Sequence, residues 1–225
     1  SQSREVYYIG TSSKLNCMCY FIELSKPVQE LQKHFNAKFE NPEKYKTGVF
    51  NGFQHPQSPV IIHKQPNIIK LLNWGLIPHW AKDDTFRKNT LNARMESIHE
   101  KSSFRDVVNN RCLIVADGFF EWQWLDAKGK QKQKYELTLP DKQVFGFAGL
   151  WSHWADRSTG ETRMTYTILT TEANELMAKI HNTQKRMPVI VEPANEHNWL
   201  QDGTLVLAND KLVATTDALN LSLGL

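Results

Sequence analysis

Four residues whose chemistry could be combined stand far apart in this chain. They are Cys19 directly after Met18, Asn92 in the run Asn92-Ala93-Arg94-Met95-Glu96, Glu121 in Asp117-Gly118-Phe119-Phe120-Glu121-Trp122, and His181 ahead of Lys185-Arg186-Met187-Pro188. If translation starts at Met18 and that methionine is removed, Cys19 becomes an N-terminal residue with its amine and thiol two carbons apart. Such a pair traps aldehydes: the amine forms a Schiff base and the thiol closes on the imine to give a thiazolidine. A free α-amine has a pKa of roughly 8, against about 10.4 for a lysine, so a useful neutral fraction exists near pH 7. The thiol titrates near 8.5 unless its surroundings shift it. A buried carboxyl and a histidine are the groups best suited to the accompanying proton transfers. As the chain is written, however, the nitrogen of Cys19 is an amide and cannot attack an aldehyde. The 225-residue form is therefore expected to be inert in this reaction until it is cut after Met18.

Each residue taken alone also has a structural reading. A free cysteine is commonly buried, Asn92 could sit in a turn, Glu121 could point to water from an edge strand, and His181 could cap the helix expected before it. Arg94 beside Asn92 and Trp122 beside Glu121 interleave cationic and aromatic groups, as a nucleic-acid surface does. Against that stand an ion pair for Arg94 and core packing for Trp74, Trp151 and Trp199. Lys128, Lys130, Lys132 and Lys134 alternate, so they could line one side of a hairpin arm, either solvated or against duplex DNA.

The set resembles the SOS-response-associated peptidase family, proteins that shield abasic sites in single-stranded DNA by covalent attachment. The resemblance runs from Met18 to about Val191. It rests on Met18-Cys19, Trp74-Gly75-Leu76-Ile77-Pro78-His79-Trp80, Asn92-Ala93-Arg94 with Glu96, Asp117 to Trp122, and His181 with Arg186-Met187-Pro188. It implies a thiazolidine between Cys19 and the opened deoxyribose, with Glu121 as acid/base beside the cysteine. His181 would act at the sugar for ring opening, and Asn92 would fix the amine. It further implies DNA contacts by Arg94, Trp122, Trp80, Pro56 and Arg186, with Arg94 on a phosphate and Pro56 and Trp80 wedging or stacking where the strand bends. The implied partner is single-stranded DNA with abasic sites, including junctions with duplex; no metal or organic cofactor is implied, and a monomer is expected. The chain departs from the pattern at Tyr20 and Phe21, where many relatives carry a small residue and an arginine. Two other readings stay open: a non-covalent single-strand-binding module, and a cysteine-type peptidase or self-processing hydrolase using Cys19, His181 and Glu121.

The elements that must position these residues read mostly as strands. Val60-Ile61-Ile62 and Ile68 to Leu72 suggest a hairpin broken at Gln65-Pro66-Asn67, with further strands at 111–116, 135–139, 144–151, 166–170, 189–191 and 218–223. Helical spacing is confined to 25–39, 172–180 and 194–200. Strands that do not alternate regularly with helices imply an α+β fold on a curved, largely antiparallel sheet or barrel, with a few peripheral helices. No break in composition divides residues 18–225, which read as one domain. Residues 1–17 lack a methionine and read as an upstream extension or an expression remnant. Three cysteines are too few for a disulfide framework, no apolar run approaches a membrane span, and the cytoplasm is the expected location. A net charge of +3 permits an anionic partner without requiring one.

Overall fold

Runs such as Cys112-Leu113-Ile114-Val115-Ala116 have no polar side to show to water, so their strands must be covered on both faces. The computed structural model, which describes residues 20–216, builds that cover from two sheets. Its strands are β1 Phe21–Leu24, β2 Lys38–Phe39, β3 Gly48–Asn51, β4 Gln57–Ile62, β5 Ile68–Trp74, β6 Asn92–Arg94, β7 Arg111–Ala116, β8 Gly118–Trp124, β9 Lys132–Thr138, β10 Phe145–Ala155, β11 Thr162–Glu172, β12 Arg186–Pro188 and β13 Val213–Thr215. The α-helices are α1 Val28–Phe35, α2 Glu175–Ile180 and α3 Glu196–Gln201. Strands β5, β4, β7, β10 and β11 pair in that order, and β11 returns to β5 in parallel through Thr165↔Asn73 and Tyr166↔Trp74, closing a five-stranded barrel. The second sheet runs β13-β9-β8-β1-β3, all antiparallel. The fold is thus α+β with a barrel core and short helices. No helix among the described residues is long and apolar enough to cross a membrane.

Alternate residues of the barrel strands feed two apolar clusters. Cys112, Ile114 and Ala116 of β7 join Trp74, Phe147 and Tyr166, and that cluster is shared with Ile22, Phe119 and Leu137 of the second sheet. Leu113 and Val115 join Leu31 of α1 and Trp199 and Leu200 of α3 on the other side. Trp74, Trp151 and Trp199 are core residues, each under a tenth exposed. Between the sheets the chain turns at Asp117, fully buried, whose carboxylate accepts the Ser25 backbone N–H at 2.7 Å and its hydroxyl at 2.6 Å. That acid staples the corner between β7 and β8 to the segment entering α1.

Several expected boundaries shift. The helix expected over 25–39 ends at Phe35, because Asn36 takes the left-handed conformation at φ 48°, and Phe39 belongs to β2. The helix expected from Glu172 begins at Glu175, since Glu172 completes β11. Residues 189–191 are buried and extended but form only isolated bridges, Phe147↔Ile190 and Val191↔Leu207; the strand there is β12. Lys128 and Lys130 lie in the hairpin turn before β9, so only Lys132 and Lys134 alternate on a strand. The strand expected at 218–223 lies outside the described residues.

Candidate active site

Glu121 owes its position to the two-residue period of β8. Phe119 points into the core, and Glu121, two residues on, points the same way at 3% exposure. No cation pairs with it among the described residues. Burial pushes its pKa up to about 8, and the backbone N–H of Trp122 pulls only weakly the other way. Desolvation disfavours the carboxylate, so the group is a protonated acid at neutral pH and can give up a proton and take it back.

His181 is placed by α2. Asn174 caps the helix by accepting the Met177 N–H at 2.9 Å, and Met177 and Ile180 bury in the core. His181 ends the helix with its own N–H on the Met177 carbonyl at 2.7 Å, so the capping role is real, while its ring turns inward at 1% exposure. Ring Nδ1 lies 2.8 Å from the Arg186 carbonyl and 3.3 Å from the Arg186 N–H. The shorter contact requires Nδ1–H as donor, which leaves Nε2 as the basic nitrogen of the neutral ring.

Arg186 is a hub rather than a surface cation. Only 7% exposed, it holds Glu96 with two parallel bonds at 2.9 and 2.8 Å and donates to the Thr170 carbonyl at 2.9 Å. The guanidinium holds the Glu96 carboxyl below its ordinary range. Arg94 is the opposite case. In β6, Asn92 lies across from Ile168 and Arg94 across from Thr170, so the two share a face. Asn92 is buried at 7%, in a strand and not a turn. Arg94 is exposed and makes no ion pair among the described residues.

Thr170 is flanked by Arg94 of β6 on one side and Pro188 of β12 on the other. From β12 the link continues through Arg186 to His181, and from there to β8. Gln123 donates to the Lys179 carbonyl at 3.0 Å, while Asn182 accepts the Trp124 N–H at 3.1 Å and donates to its carbonyl at 2.8 Å. Asn92, His181 and Glu121 therefore stand on elements joined in one continuous arrangement. Next to β8 runs β1, with Phe21 opposite Phe120. Tyr20, the residue after Cys19, accepts the Gly52 N–H at 2.8 Å and packs on Phe53. Cys19 and Met18 lie outside the described residues. Cys112, in the core, has its thiol pKa pushed up by burial.

Trp122 is half-buried on the outer face of β8, edge-on to Phe21 at 5.1 Å. Trp80 packs edge-on to Phe86 at 5.0 Å in a separate small cluster with Ile77, Ala81 and Trp154. Pro56 is half-buried, and its carbonyl accepts the Trp74 N–H at 2.9 Å. Sequence reasoning missed Asp117 as a staple and Asn182 as the clamp on β8. Asn174 before a short amphipathic run was a cap signal that could have been found; Asn182 carried none.

The family model for SOS response associated peptidase (SRAP) matches residues 18–222. The abasic site processing protein YoqW of Bacillus subtilis is 45% identical over 135 residues, covering 60% of this chain and 58% of that protein. The abasic site processing protein HMCES of Xenopus tropicalis is 28% identical over 218 residues, covering 83% and 61%. The match to YoqW thus spans less than two thirds of that relative. A crystal structure of a protein from Bacteroides thetaiotaomicron superposes with a TM-score of 0.78 at 31% identity, covering 88% of this chain and 91% of that one.

Proposed function

The chain belongs to the SOS response associated peptidase family, and from that premise we propose that it binds abasic sites in single-stranded DNA and captures them covalently through Cys19 once the residues before it are removed. The similarity to two abasic site processing proteins supports the substrate. The observation that carries the chemistry is Glu121, an acid kept protonated by burial on the strand next to the one that follows Cys19.

The opened deoxyribose presents an aldehyde. The Cys19 amine adds to its carbon and passes one proton to the oxygen, which takes a second and leaves as water while the nitrogen gives up its other proton. The thiol sulfur then adds to the imine carbon and its proton passes to the nitrogen. Glu121 supplies the proton that lets water leave and is restored by the one the nitrogen releases. His181 Nε2 takes and returns the proton of the sugar hydroxyl during ring opening, Asn92 orients the amine, and Arg94 holds a neighbouring phosphate. Removal of the residues before Cys19 is assigned to the same site.

The test compares a chain that starts at Cys19 with the full chain, each mixed with an oligonucleotide carrying one abasic site. Denaturing gels and intact mass should show a stable adduct, lighter by one water than the sum of its parts, from the short chain alone. Cys19→Ala in the short chain should give an adduct only after reduction. A stable adduct from uncut full-length chain, or an equally stable unreduced one from Cys19→Ala, would refute the mechanism. Non-covalent binding without any adduct would favour a plain single-strand-binding module.

A further inference from the structure

The β8–β9 hairpin carries an aromatic and cationic face that the capture chemistry does not use. On the side of the sheet opposite Glu121, Trp124 lies across from Lys132 and Trp122 from Lys134. The Lys132 ammonium sits 5.2 Å from the centre of the Trp124 ring, and that of Lys134 sits 3.9 Å from Phe120 and 6.0 Å from Trp122. The turn is fixed by Asp126, whose carboxylate accepts the N–H groups of Lys128, Lys130 and Gln131. Gly129, at φ +64°, lies so close to Trp124 that a Cβ there would come within 2.7 Å of the ring. Trp124 is thus covered by the turn on one flank and approached by Lys132.

These rings serve as pedestals for ammonium groups rather than as bare platforms for bases. A surface that bound single strands by stacking would leave its aromatic faces open. Here the groups presented to solvent are ammonium ions held by cation–π contact. Lys128, Lys130, Lys132 and Lys134 are all exposed, and none makes an ion pair among the described residues. Of the carboxylates around the hairpin, Asp126 is taken up by backbone N–H groups of the turn, and Glu136 and Glu23 are held by Lys142 at 2.8 and 2.9 Å, with Lys134 adding only a longer-range pull on Glu136. The turn end of the hairpin is tied to the loop after α2 by the two Trp124–Asn182 bonds, one residue beyond His181.

We infer that Lys132 and Lys134 form a phosphate-contacting surface for the DNA strand that flanks the abasic nucleotide, independent of base sequence. This rests on the DNA-binding reading above. Phosphate contacts position a strand without reading it and release counterions, so they show in the salt dependence of binding.

The test uses two single-stranded oligonucleotides with one abasic site, one extending two nucleotides on each side and the other ten. Binding is followed by fluorescence anisotropy across a salt series. The unmodified protein should bind the long one more tightly. Lys132→Gln with Lys134→Gln should abolish most of that gain and lower the slope of log K against log salt by about 1.4, at roughly 0.7 per contact. Affinity for the short oligonucleotide should stay the same, and Lys132→Arg with Lys134→Arg should retain the gain. A glutamine variant that keeps the full gain, or that loses affinity equally for both lengths, would overturn the inference while leaving abasic-site binding intact. Failure of the unmodified protein to bind either oligonucleotide would overturn both.

Discussion

At the residue scale, burial sets the character of Glu121 and of the two arginines. Glu121 needs no partner to stay protonated, because its apolar surroundings make the carboxylate expensive. With a folded-state pKa of about 8 against 4.5 in the unfolded chain, the native state binds the extra proton between those values. The associated stability is fully present below about pH 4.5. It is lost as pH rises towards 8, at up to about 1.4 kcal/mol per pH unit. Glu121→Gln should remove this dependence. Its melting temperature relative to the parent protein should climb between about pH 5 and pH 8, although adduct formation slows; parallel curves for the two proteins would sink the assignment. The two arginines show how burial separates roles that composition cannot. Arg186 is buried and committed to Glu96 and Thr170, and its backbone carbonyl holds the His181 ring. Arg94, exposed on the Asn92 face, is the one available to a phosphate.

At the scale of elements, α2 is a short lever whose far end is His181. A helix of six residues has little stability of its own and depends on its cap and its two buried residues. Asn174→Ala should therefore lower stability by about 1 kcal/mol and slow adduct formation more than that loss explains. Chemical denaturation alongside single-turnover gels would check both, and an unchanged rate would show that His181 is held by Arg186 alone. The strands legible in the sequence were those with a clear pattern: β4, β7 and the cores of β10 and β11 are apolar runs covered on both faces, and β5 is an apolar run interrupted by Lys70 and Asn73. Strand β8 is harder to read, and only the edge-strand reading of Glu121 points to it, because its outer face carries Phe120, Trp122 and Trp124, which erases the polar half of the alternation. The limits of α1 and α2 were misread for a different reason. Phe39 and Glu172 fit the helical spacing, but each is claimed by pairing with a strand from elsewhere in the chain, Phe39 with Ile69 and Glu172 with Arg186. Of the candidate site, residue types and order were legible in the motifs. The clamp by Asn182 and the commitment of Arg186 were not, because both depend on contacts between distant elements.

Across the whole molecule, the barrel supplies a wall that does not give. Gly149 of β10 shows how tightly it is packed: a Cβ there would meet the Thr167 carbonyl at 2.5 Å, the Cys112 sulfur at 3.1 Å and the side chain of Ile114. Gly149→Ala should cost about 1–3 kcal/mol by overpacking, read as a drop in the denaturation midpoint with no change in cooperativity. An unchanged midpoint would mean that the wall relaxes. The seam of that barrel sets an order of events. Its parallel pairing joins Trp74 to Tyr166, and contacts between segments so remote in sequence form late, after their loop has been closed. Strand β6, with Asn92, docks on the same edge of β11 just past the seam, and β12 docks on the other edge. On the capture chemistry proposed above, a half-made chain whose cysteine had been unmasked would have neither Asn92 nor His181 in place. Folding would then act as a safety catch on that chemistry, completing the site only when the ring shuts.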